Sequence, residues 1–274
     1  MSFLAAILLG IVQGLTEFLP VSSSGHLALA QHLIPGFDVE AAGVTFDLLL
    51  HIATLLAVLI YFRRRLFELA GALFDKSRTY ERRLIFFLFL GTLPIVIAGF
   101  TLKDPLEQVK EHPVAVSALL CLTGLILFIP GWVKSRCNND HSPHSSLIMG
   151  VAQAFALLPG ISRSGSTITA GMIAGVKPTL AAEFSFLLAI PAISGAMVLK
   201  MKDISSIPSE QIAPYAAGMV AAFVTGIIAI YAVLTILKRG KFAYFGFYCL
   251  LIGTAGLIYF STRSNLSLIH ISEP

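Results

Sequence analysis

The chain has 274 residues, of which 56% are hydrophobic and only 12% are charged, and its mean hydropathy is +0.84. A soluble domain normally carries about 25% charged residues, so the composition excludes a soluble globular protein and predicts a polytopic membrane protein. The net charge of +4 is not a nucleic-acid signal, because the basic residues cluster in loops between apolar segments. The expected partner is the lipid bilayer, and no nucleic acid is expected.

Six apolar segments are long enough to cross the hydrocarbon core of a membrane, which takes roughly 20 helical residues. An all-α fold is therefore predicted, with spanning helices at residues 45–62, 84–101, 113–133, 180–200, 213–237 and 242–261. The first apolar segment has no basic residue before it, so it is predicted to be retained and not to be a signal peptide. The three cysteines lie far apart, which predicts neither a disulfide framework nor a metal site.

Two further apolar stretches, 3–33 and 147–176, are interrupted near their middle by Pro, Ser and Gly. The interruptions, FLPVSSSGH and LLPGISRSGST, leave half-helices of about 10–15 residues, which are too short to span a membrane. Irregular backbone at membrane depth is tolerated only where protein or a watery cavity surrounds it. We therefore predict two re-entrant helical hairpins, with a pair of kinked spanning helices as the alternative.

Charged residues between the apolar segments predict the orientation. Residues 63–83 hold seven Lys or Arg, 134–136 hold two and 238–241 hold three, whereas 102–112 and 200–212 hold two each. If the first group is cytoplasmic, the six spans alternate correctly and both chain ends lie outside. The first hairpin then enters from outside and the second from the cytoplasm.

The two interrupted stretches align after a shift of 140 residues, which places GIVQGLTEFLPVSSSG from Gly10 over GVAQAFALLPGISRSG from Gly150. Each stretch is followed by three predicted spans, and an odd number of spans inverts the second half. The sequence therefore predicts one membrane domain, 1–262, built from inverted repeats at 1–133 and 147–262. The hairpin tips are expected to face each other near the midplane, where such repeats commonly form binding sites.

Arg163 is the only charged residue in the stretch 147–176. An intramembrane arginine costs roughly 3 kcal/mol on insertion scales, so it is expected to have a polar partner or a function. Its guanidinium suits bidentate contact with phosphate oxygens. A structural ion pair with Glu17 or Glu183 is the alternative.

The hairpin tips also have the residues of helix starts. Ser22 or Ser23 in the first tip, and Ser162 in the second, are natural N-caps for the following half-helix. The start of a helix exposes free N–H groups and the positive end of the dipole, which attract anions. Together with Arg163, the tips predict a pocket for a phosphate-like anion.

Candidate catalytic groups accompany the first tip. Gln13 and Glu17 are four residues apart on one helix face, and His26 follows Ser23 by three positions. Ser23 is a candidate nucleophile with His26 as its base, and His26 is the alternative nucleophile. Glu17 could hold a divalent cation that bridges to phosphate oxygens, or it could orient His26.

The other polar residues receive structural interpretations. Asp47 and His51 are predicted to support the fold through a mutual hydrogen bond, with a role in the site as the alternative, and Glu183 is predicted to support the second hairpin. The remaining histidines are predicted to be solvated: His32, His112, His141, His144 and His270.

The motifs QGLTE with FLPVSSSGH (13–26) and PGISRSGST (159–167) resemble the two signatures of the undecaprenyl-diphosphate phosphatases of the bacitracin-resistance family. The hydrophobic pattern resembles the family over residues 1–262. The resemblance implies hydrolysis of undecaprenyl diphosphate to undecaprenyl phosphate, which recycles the lipid carrier for peptidoglycan and confers bacitracin resistance. It also implies a multi-pass enzyme of the bacterial plasma (inner) membrane, with an outward-facing site and a divalent cation, Mg²⁺ or Ca²⁺.

The resemblance also assigns roles to residues of this chain. The implied catalytic residues are Glu17, Ser23, His26 and Arg163, with Glu17 as the metal ligand. The implied substrate contacts are Gln13, Ser22, Ser162, Arg163, Ser164, Gly165 and Thr167. Some members have Glu at the position of Gln13, so this chain lacks one potential metal carboxylate. The expected partners are undecaprenyl diphosphate and the bilayer, and a homodimer is left open.

A lipid-carrier flippase or secondary transporter built on the same repeat is the alternative function, because facing hairpins also occur in transporters. The cluster of Glu17, Ser23 and His26 favours an enzyme, since anion binding alone does not require it.

The end of the chain, LSLIHISEP (266–274), matches the translation of a transposase sequencing adapter in one reading frame. The tail 263–274 is therefore predicted to be a non-native extension without function.

Overall fold

A computed structural model describes residues 1–33, 39–101, 109, 111–133, 139–200 and 207–271, and for 39–44 and 263–271 it describes the backbone alone. Within these ranges the fold consists of eleven helices and contains no β-strand, which confirms the all-α prediction. The helices are α1 Phe3–Phe18, α2 Ser23–Leu33, α3 Val39–Tyr61, α4 Arg63–Phe74, α5 Thr79–Thr101, α6 Pro113–Trp132, α7 Pro143–Phe155, α8 Arg163–Ile173, α9 Pro178–Lys200, α10 Ser209–Lys238 and α11 Ala243–Ile271.

Five of these helices are long and apolar enough to cross a membrane, namely α5, α6, α9, α10 and the part Ala243–Thr262 of α11. A sixth candidate is α3 together with α4, which bends away from it by 74°. These helices correspond to the six predicted spans, and they are the helices of a multi-pass membrane protein. The predicted single domain 1–262 stays a prediction, as does the non-native tail, of which residues 272–274 lie outside the described part.

Residues 63–83 were assigned above to a loop, and this is wrong for the first half of the segment, which forms α4. One face of α4 buries Leu69 and Ala72 against α5. Arg65 holds the helix in place, because its Nε donates to Glu183 Oε1 at 3.0 Å and its guanidinium lies over the ring of Tyr80. The Glu183 carboxylate is therefore bound by α4, and the predicted support of the second hairpin by Glu183 stays a prediction.

The two interrupted stretches fold back on themselves. α1 packs on α2 and α7 packs on α8, with breaks at residues 19–22 and 156–162. A Cβ atom added to Gly171 in α8 would lie 3.0 Å from Sδ of Met149 in α7, so these two helices run side by side. Hairpins are therefore formed, and not the pairs of kinked continuous helices that were the alternative.

Each hairpin packs mainly against a long helix from the other half of the chain, α1 against α10 and α7 against α5. Glycines permit the close approach, since a Cβ on Gly10 would collide with the carbonyl oxygen of Gly218. A Cβ on Gly150 would likewise collide with the carbonyl oxygen of Gly91. Small residues at such crossings are typical of membrane helices. Gly10 and Gly150 correspond in the 140-residue shift, so both hairpins dock through the same position.

Candidate active site

Glu17 and Arg163 form an ion pair that joins the two hairpins. Nη2 of Arg163, the first residue of α8, donates to Oε1 of Glu17 near the end of α1. The Glu17 side chain is 1% exposed and that of Arg163 is 21% exposed, so the carboxylate is buried and the guanidinium is accessible. A buried carboxylate requires a partner. The structural alternative for Arg163 is thus realised with Glu17, while Glu183 pairs with Arg65.

The other carboxylate oxygen of Glu17 has further partners. Gln13 Nε2 donates to Glu17 Oε2 at 3.0 Å, and Ser23 Oγ donates to the same atom at 2.5 Å. His51 Nε2 lies 3.9 Å from it. The amide oxygen of Gln13 is buried and has no hydrogen-bond partner among the described residues. Glu17 is therefore the centre of a polar cluster contributed by α1, α2, α3 and α8.

The backbone of the first tip is shaped by Ser22, whose φ of 71° lies in the left-handed region. This conformation favours glycine, and a non-glycine residue held in it is strained by about 1–3 kcal/mol. Ser22 Oγ accepts the N–H of Gly25 at 3.3 Å and thereby caps α2, as predicted. The turn at Ser22 brings the next residue, Ser23, into contact with Glu17.

The imidazole of His26 is held on both sides. Its Nδ1 lies 2.8 Å from the carbonyl oxygen of Ser22, so Nδ1–H is the donor and Nε2 is the acceptor. Nε2 accepts from the hydroxyl of Tyr248 at 3.0 Å, and the two rings stack with an interplanar angle of 7°. The described contacts of His26 include no hydrogen bond to Ser23. The predicted pairing of these two residues is absent, and the Ser23 hydroxyl is directed to Glu17.

The second tip is capped in the same way as the first. Ser162 Oγ accepts the N–H of Gly165 at 3.0 Å, which confirms Ser162 as the N-cap of α8. Thr123 supports the tip from α6, because its hydroxyl accepts the N–H of Ser162 at 3.1 Å and donates to the carbonyl oxygen of Gly160 at 2.8 Å. Thr123 lies midway along the twenty residues of α6, so the tip is level with the middle of a candidate span.

The other predicted substrate contacts of the second tip take part in packing. Ser164 Oγ donates to the carbonyl oxygen of Leu19 at 3.1 Å, which ties α8 to the first tip. Thr167 is fully buried, and its hydroxyl lies 2.5 Å from that of Ser185 on α9. A Cβ on Gly165 would lie 3.0 Å from Ser162, so a side chain there would press on the cap.

The two tips meet directly, because a Cβ on Gly25 would lie 3.0 Å from the Cα of Gly160. Four amide N–H groups at the starts of α2 and α8 make no hydrogen bond with any described residue. They belong to Ser23, Ser24, Arg163 and Ser164. Free N–H groups at helix starts bind anions, and here they accompany the guanidinium of Arg163. The arrangement suits a phosphate group near the hydroxyl of Ser23.

Comparison with known proteins identifies the family. The model of bacitracin resistance protein BacA matches residues 6–255. The chain belongs to the BacA family. It is 45% identical over 258 residues to the undecaprenyl-diphosphatase of Syntrophotalea carbinolica, which covers 92% of this chain and 97% of the relative. The undecaprenyl-diphosphatase of Salinibacter ruber is 41% identical over 275 residues, covering 94% and 99%. The undecaprenyl-diphosphatase 1 of Bacillus cereus is 39% identical over 262 residues, covering 92% and 96%. The resemblance inferred from the two motifs is confirmed.

The cation expected for the BacA family can be tested against the donor atoms. The described residues contain no group of three or more His, Cys, Asp or Glu that could hold a metal ion. They do provide hard oxygen donors, namely the carboxylate of Glu17 and the unpaired amide oxygen of Gln13. Mg²⁺ is usually bound by one or two carboxylates together with substrate phosphates. The donor set therefore fits a cation whose coordination is completed by the substrate.

Two residues of this site in the BacA-family chain, Thr123 and Tyr248, carry no signal in the sequence, and a third, His51, was predicted to serve the site only as an alternative. His51 Nδ1 donates to the backbone oxygen of Asp47 at 2.7 Å, which confirms the predicted hydrogen bond between these two residues, and Asp47 Oδ1 accepts from Gln31. His51 also approaches Glu17. All three lie on apolar helices and reach the site only through tertiary packing.

The remaining histidines lie away from the site. His32, His112 and His144 are exposed, as predicted, and the side chain of His270 lies outside the described residues. His141 was predicted to be solvated, and this is wrong, because its ring stacks on Phe184 with 4.4 Å between centroids. Burial in this extramembrane turn lowers the pKa of His141 below its ordinary value.

Proposed function

We propose that this BacA-family protein hydrolyses undecaprenyl diphosphate to undecaprenyl phosphate and inorganic phosphate, the activity named in its relatives. The observation that carries the proposal is the convergence of Glu17, Ser23 and Arg163 from two hairpins. An acceptor, a hydroxyl nucleophile and a phosphate-binding cation are the groups that phosphoryl transfer requires. Recycling of the lipid carrier, and with it bacitracin resistance, follows from this reaction.

Substrate binding is assigned to the two helix starts. The terminal phosphate contacts the guanidinium of Arg163 and the free N–H groups of Ser23, Ser24 and Ser164, while the lipid tail lies between helices. Positioning and electrostatic stabilisation dominate catalysis of phosphoryl transfer. The side chain of Arg163 is 21% exposed and Ser23 is half-buried, whereas the side chain of Glu17 is 1% exposed. Arg163 and Ser23 can therefore contact a bound phosphate that the buried carboxylate cannot reach, which supports this placement.

The chemical step follows from the hydrogen bond between Ser23 and Glu17. Ser23 Oγ forms a bond to the terminal phosphorus, its proton passes to Glu17 Oε2, and the bond to the bridging oxygen breaks, so that undecaprenyl phosphate leaves. Water then releases inorganic phosphate from the phosphoserine, with Nε2 of His26 taking the water proton. Direct attack by water, with His26 as its base, is the second route that the same residues allow.

Arg163 couples binding to this step. In the structure its guanidinium occupies Oε1 of Glu17, while Oε2 accepts from Ser23. A diphosphate that draws Arg163 to its phosphates would free Oε1 to hold a divalent cation, with Oε2 as the acceptor of the Ser23 proton.

The site is proposed to use Mg²⁺ or Ca²⁺, held by Glu17 and the amide oxygen of Gln13. The cation would supply neutralisation of charge on the transferred phosphoryl group. Burial of the unpaired Gln13 oxygen supports this assignment.

We further propose that the protein lies in the bacterial plasma membrane with its site outward and its halves related as inverted repeats. The matching caps at Ser22 and Ser162 support the repeat, as do the matching contacts of Gly10 and Gly150. Assembly as a homodimer stays a prediction.

The test is release of inorganic phosphate from a long-chain prenyl diphosphate by purified protein in detergent, where no two compartments exist. Wild type is expected to release phosphate, and Arg163→Ala is not. The matched control is Arg239→Ala, at the exposed end of α10, which should release phosphate like wild type. Folded wild-type protein that releases no phosphate would shift the function to a lipid-carrier transporter.

A further inference from the structure

The helix α4 has three distinct faces. Residues 65, 69 and 72 lie on the face that packs against α5 and α9. Phe67, Ala70 and Phe74 follow at helical spacing on the opposite side, and Arg64, Glu68 and Asp75 form the third face. A helix that packs on the protein with one face and contacts water with the other normally has polar residues opposite its buried face.

The exposed apolar face of α4 is large for a surface element. Phe67 is 76% exposed and Phe74 is 92% exposed, and Leu73, between this face and the buried one, is 63% exposed. Exposed contiguous apolar surface marks a contact with a membrane or another protein. α4 meets α3 at 74°, so with α3 across the bilayer it runs closer to the membrane plane than to the normal.

Cations without a carboxylate partner lie on α4, in the turn after it and at the start of α5. Arg63, Arg64, Lys76, Arg82 and Arg83 form no ion pair with any described residue. The neighbouring Arg65 and Arg78 differ, because Glu68, Glu81 and Glu183 bind the first and Asp75 binds the second. The carboxylates of this region are therefore already used, and five positive charges of the segment 63–83 remain without a carboxylate.

We propose that α4 and the start of α5, residues 63–83, form a binding surface for anionic phospholipid, here called the α4 surface. Its apolar face lies among acyl chains, and its five cations that lack a carboxylate partner contact headgroup phosphates. An amphipathic helix with Lys and Arg at its polar edge binds the interface in this manner. Charge complementarity selects lipid over a second protein, and the anchoring by Arg65 fixes the orientation of both faces. The proposal is independent of the phosphatase activity.

The test places a single tryptophan on the α4 surface. Trp132 is the only tryptophan of the chain, so Trp132→Phe gives a background without fluorescence from this residue type. Phe74→Trp in that background reports on α4, and Leu251→Trp, on an exposed position of α11 remote from charged residues, is the matched control. Each protein is reconstituted in phosphatidylcholine vesicles that contain a small fraction of brominated phosphatidylglycerol or brominated phosphatidylcholine.

At Phe74→Trp, the brominated phosphatidylglycerol is expected to quench several-fold more strongly, whereas at Leu251→Trp the two lipids are expected to quench alike. Adding Arg82→Gln and Arg83→Gln should lower the relative association constant about fivefold for each arginine, because one Lys or Arg near an anionic surface contributes about 1 kcal/mol. Arg82→Lys with Arg83→Lys should retain the preference. Lys238→Gln with Arg239→Gln makes the same change in net charge elsewhere and should also retain it.

Equal quenching by the two lipids at Phe74→Trp overturns the proposal, as does a preference that survives both glutamine substitutions. Quenching by neither lipid also overturns it, since α4 is then covered by protein or water. If Leu251→Trp shows the same preference for phosphatidylglycerol as Phe74→Trp, the effect comes from the net charge of the whole protein. That result also overturns the proposal.

Discussion

Glu17 and Arg163 lie 146 positions apart in the chain, and their ion pair connects the tips of two separate hairpins. The carboxylate of the pair is buried and the guanidinium is accessible, so a phosphate can reach the guanidinium of Arg163 but not the carboxylate of Glu17. Removing one partner of a buried pair typically costs about 3–5 kcal/mol, because the other charge is left without compensation. Structural and catalytic effects of Arg163 can therefore be separated by changing both partners.

Arg163→Ala is expected to lower kcat/KM for a prenyl diphosphate by about 100- to 1000-fold, the effect of removing one donor that stabilises transition-state charge. It should also lower the melting temperature, since Glu17 loses its partner. The double variant Arg163→Ala with Glu17→Gln should regain stability without regaining activity. Phosphate release and thermal unfolding in detergent measure the two effects, and an Arg163→Ala enzyme with wild-type kcat/KM would remove the proposed role.

Glu17→Gln keeps the size of the side chain and removes the acceptor for the Ser23 proton. A lost general base typically lowers kcat by about 100- to 10000-fold, and Ser23→Ala should give a loss of similar size because both act in one step. Initial rates at saturating substrate provide the measurement. Glu68→Gln, an exposed carboxylate on α4, is the control and should leave kcat unchanged. Full activity of Ser23→Ala would favour direct attack by water with His26 as its base.

Tyr248→Phe retains the ring that stacks on His26 and removes the hydroxyl that binds Nε2. One hydrogen bond contributes about 0.5–1.5 kcal/mol, so kcat is expected to fall about 2- to 10-fold with little change in KM. Tyr248→Ala, which also loses the stacking, should be slower. Steady-state kinetics of the two variants measure kcat and KM separately. Equal rates for Tyr248→Phe and wild type would show that stacking alone positions His26.

Removal of divalent cations with EDTA is expected to abolish phosphate release, and added Mg²⁺ or Ca²⁺ should restore it. Gln13→Glu adds a carboxylate beside Glu17 and should lower the cation concentration needed for half-maximal rate, since cation affinity rises with ligand charge. Gln13→Ala should raise that concentration. Titration of the rate with Mg²⁺ gives the half-maximal cation concentration for wild type, Gln13→Glu and Gln13→Ala. Activity that persists in EDTA would remove the cation from the mechanism.

Gly10→Ala and Gly150→Ala are expected to lower the melting temperature, because the added Cβ meets the backbone of Gly218 or Gly91. Forcing a methyl group into close packing costs about 1–3 kcal/mol. Gly195→Ala, where a Cβ has nothing within 4 Å, is the matched control and should not destabilise. If the two halves interlock closely, the melting temperature should fall by similar amounts in Gly10→Ala and Gly150→Ala and should not fall in Gly195→Ala.

The sequence allowed prediction of the elements that depend on local pattern. The breaks at Pro, Ser and Gly identified both hairpins, and the N-caps Ser22 and Ser162 followed from the preference for serine at helix starts. The isolated charge of Arg163 in an apolar stretch indicated a functional group before any contact was known. These inferences needed only neighbouring residues.

Contacts that depend on tertiary packing could not be predicted. Tyr248 and Thr123 have no polar neighbours in sequence that would distinguish them from residues of an ordinary spanning helix. The partner of Ser23 was predicted to be His26 from their spacing, but the turn at Ser22 directs its hydroxyl to Glu17. The helix α4 escaped prediction because its high charge is typical of a loop, although its apolar residues follow helical spacing.

The contact between Gly10 and Gly218 constrains the order in which the protein can be built. α1 is synthesised long before α10, the helix it packs against, and the guanidinium that neutralises Glu17 also comes from the later half. A nascent chain therefore carries an uncompensated carboxylate until Arg163 is synthesised 146 positions later, and such a group is costly in lipid. A chain that stops before Arg163 has a first hairpin with an unpaired charge, which distinguishes it from a chain in which the two hairpins have paired.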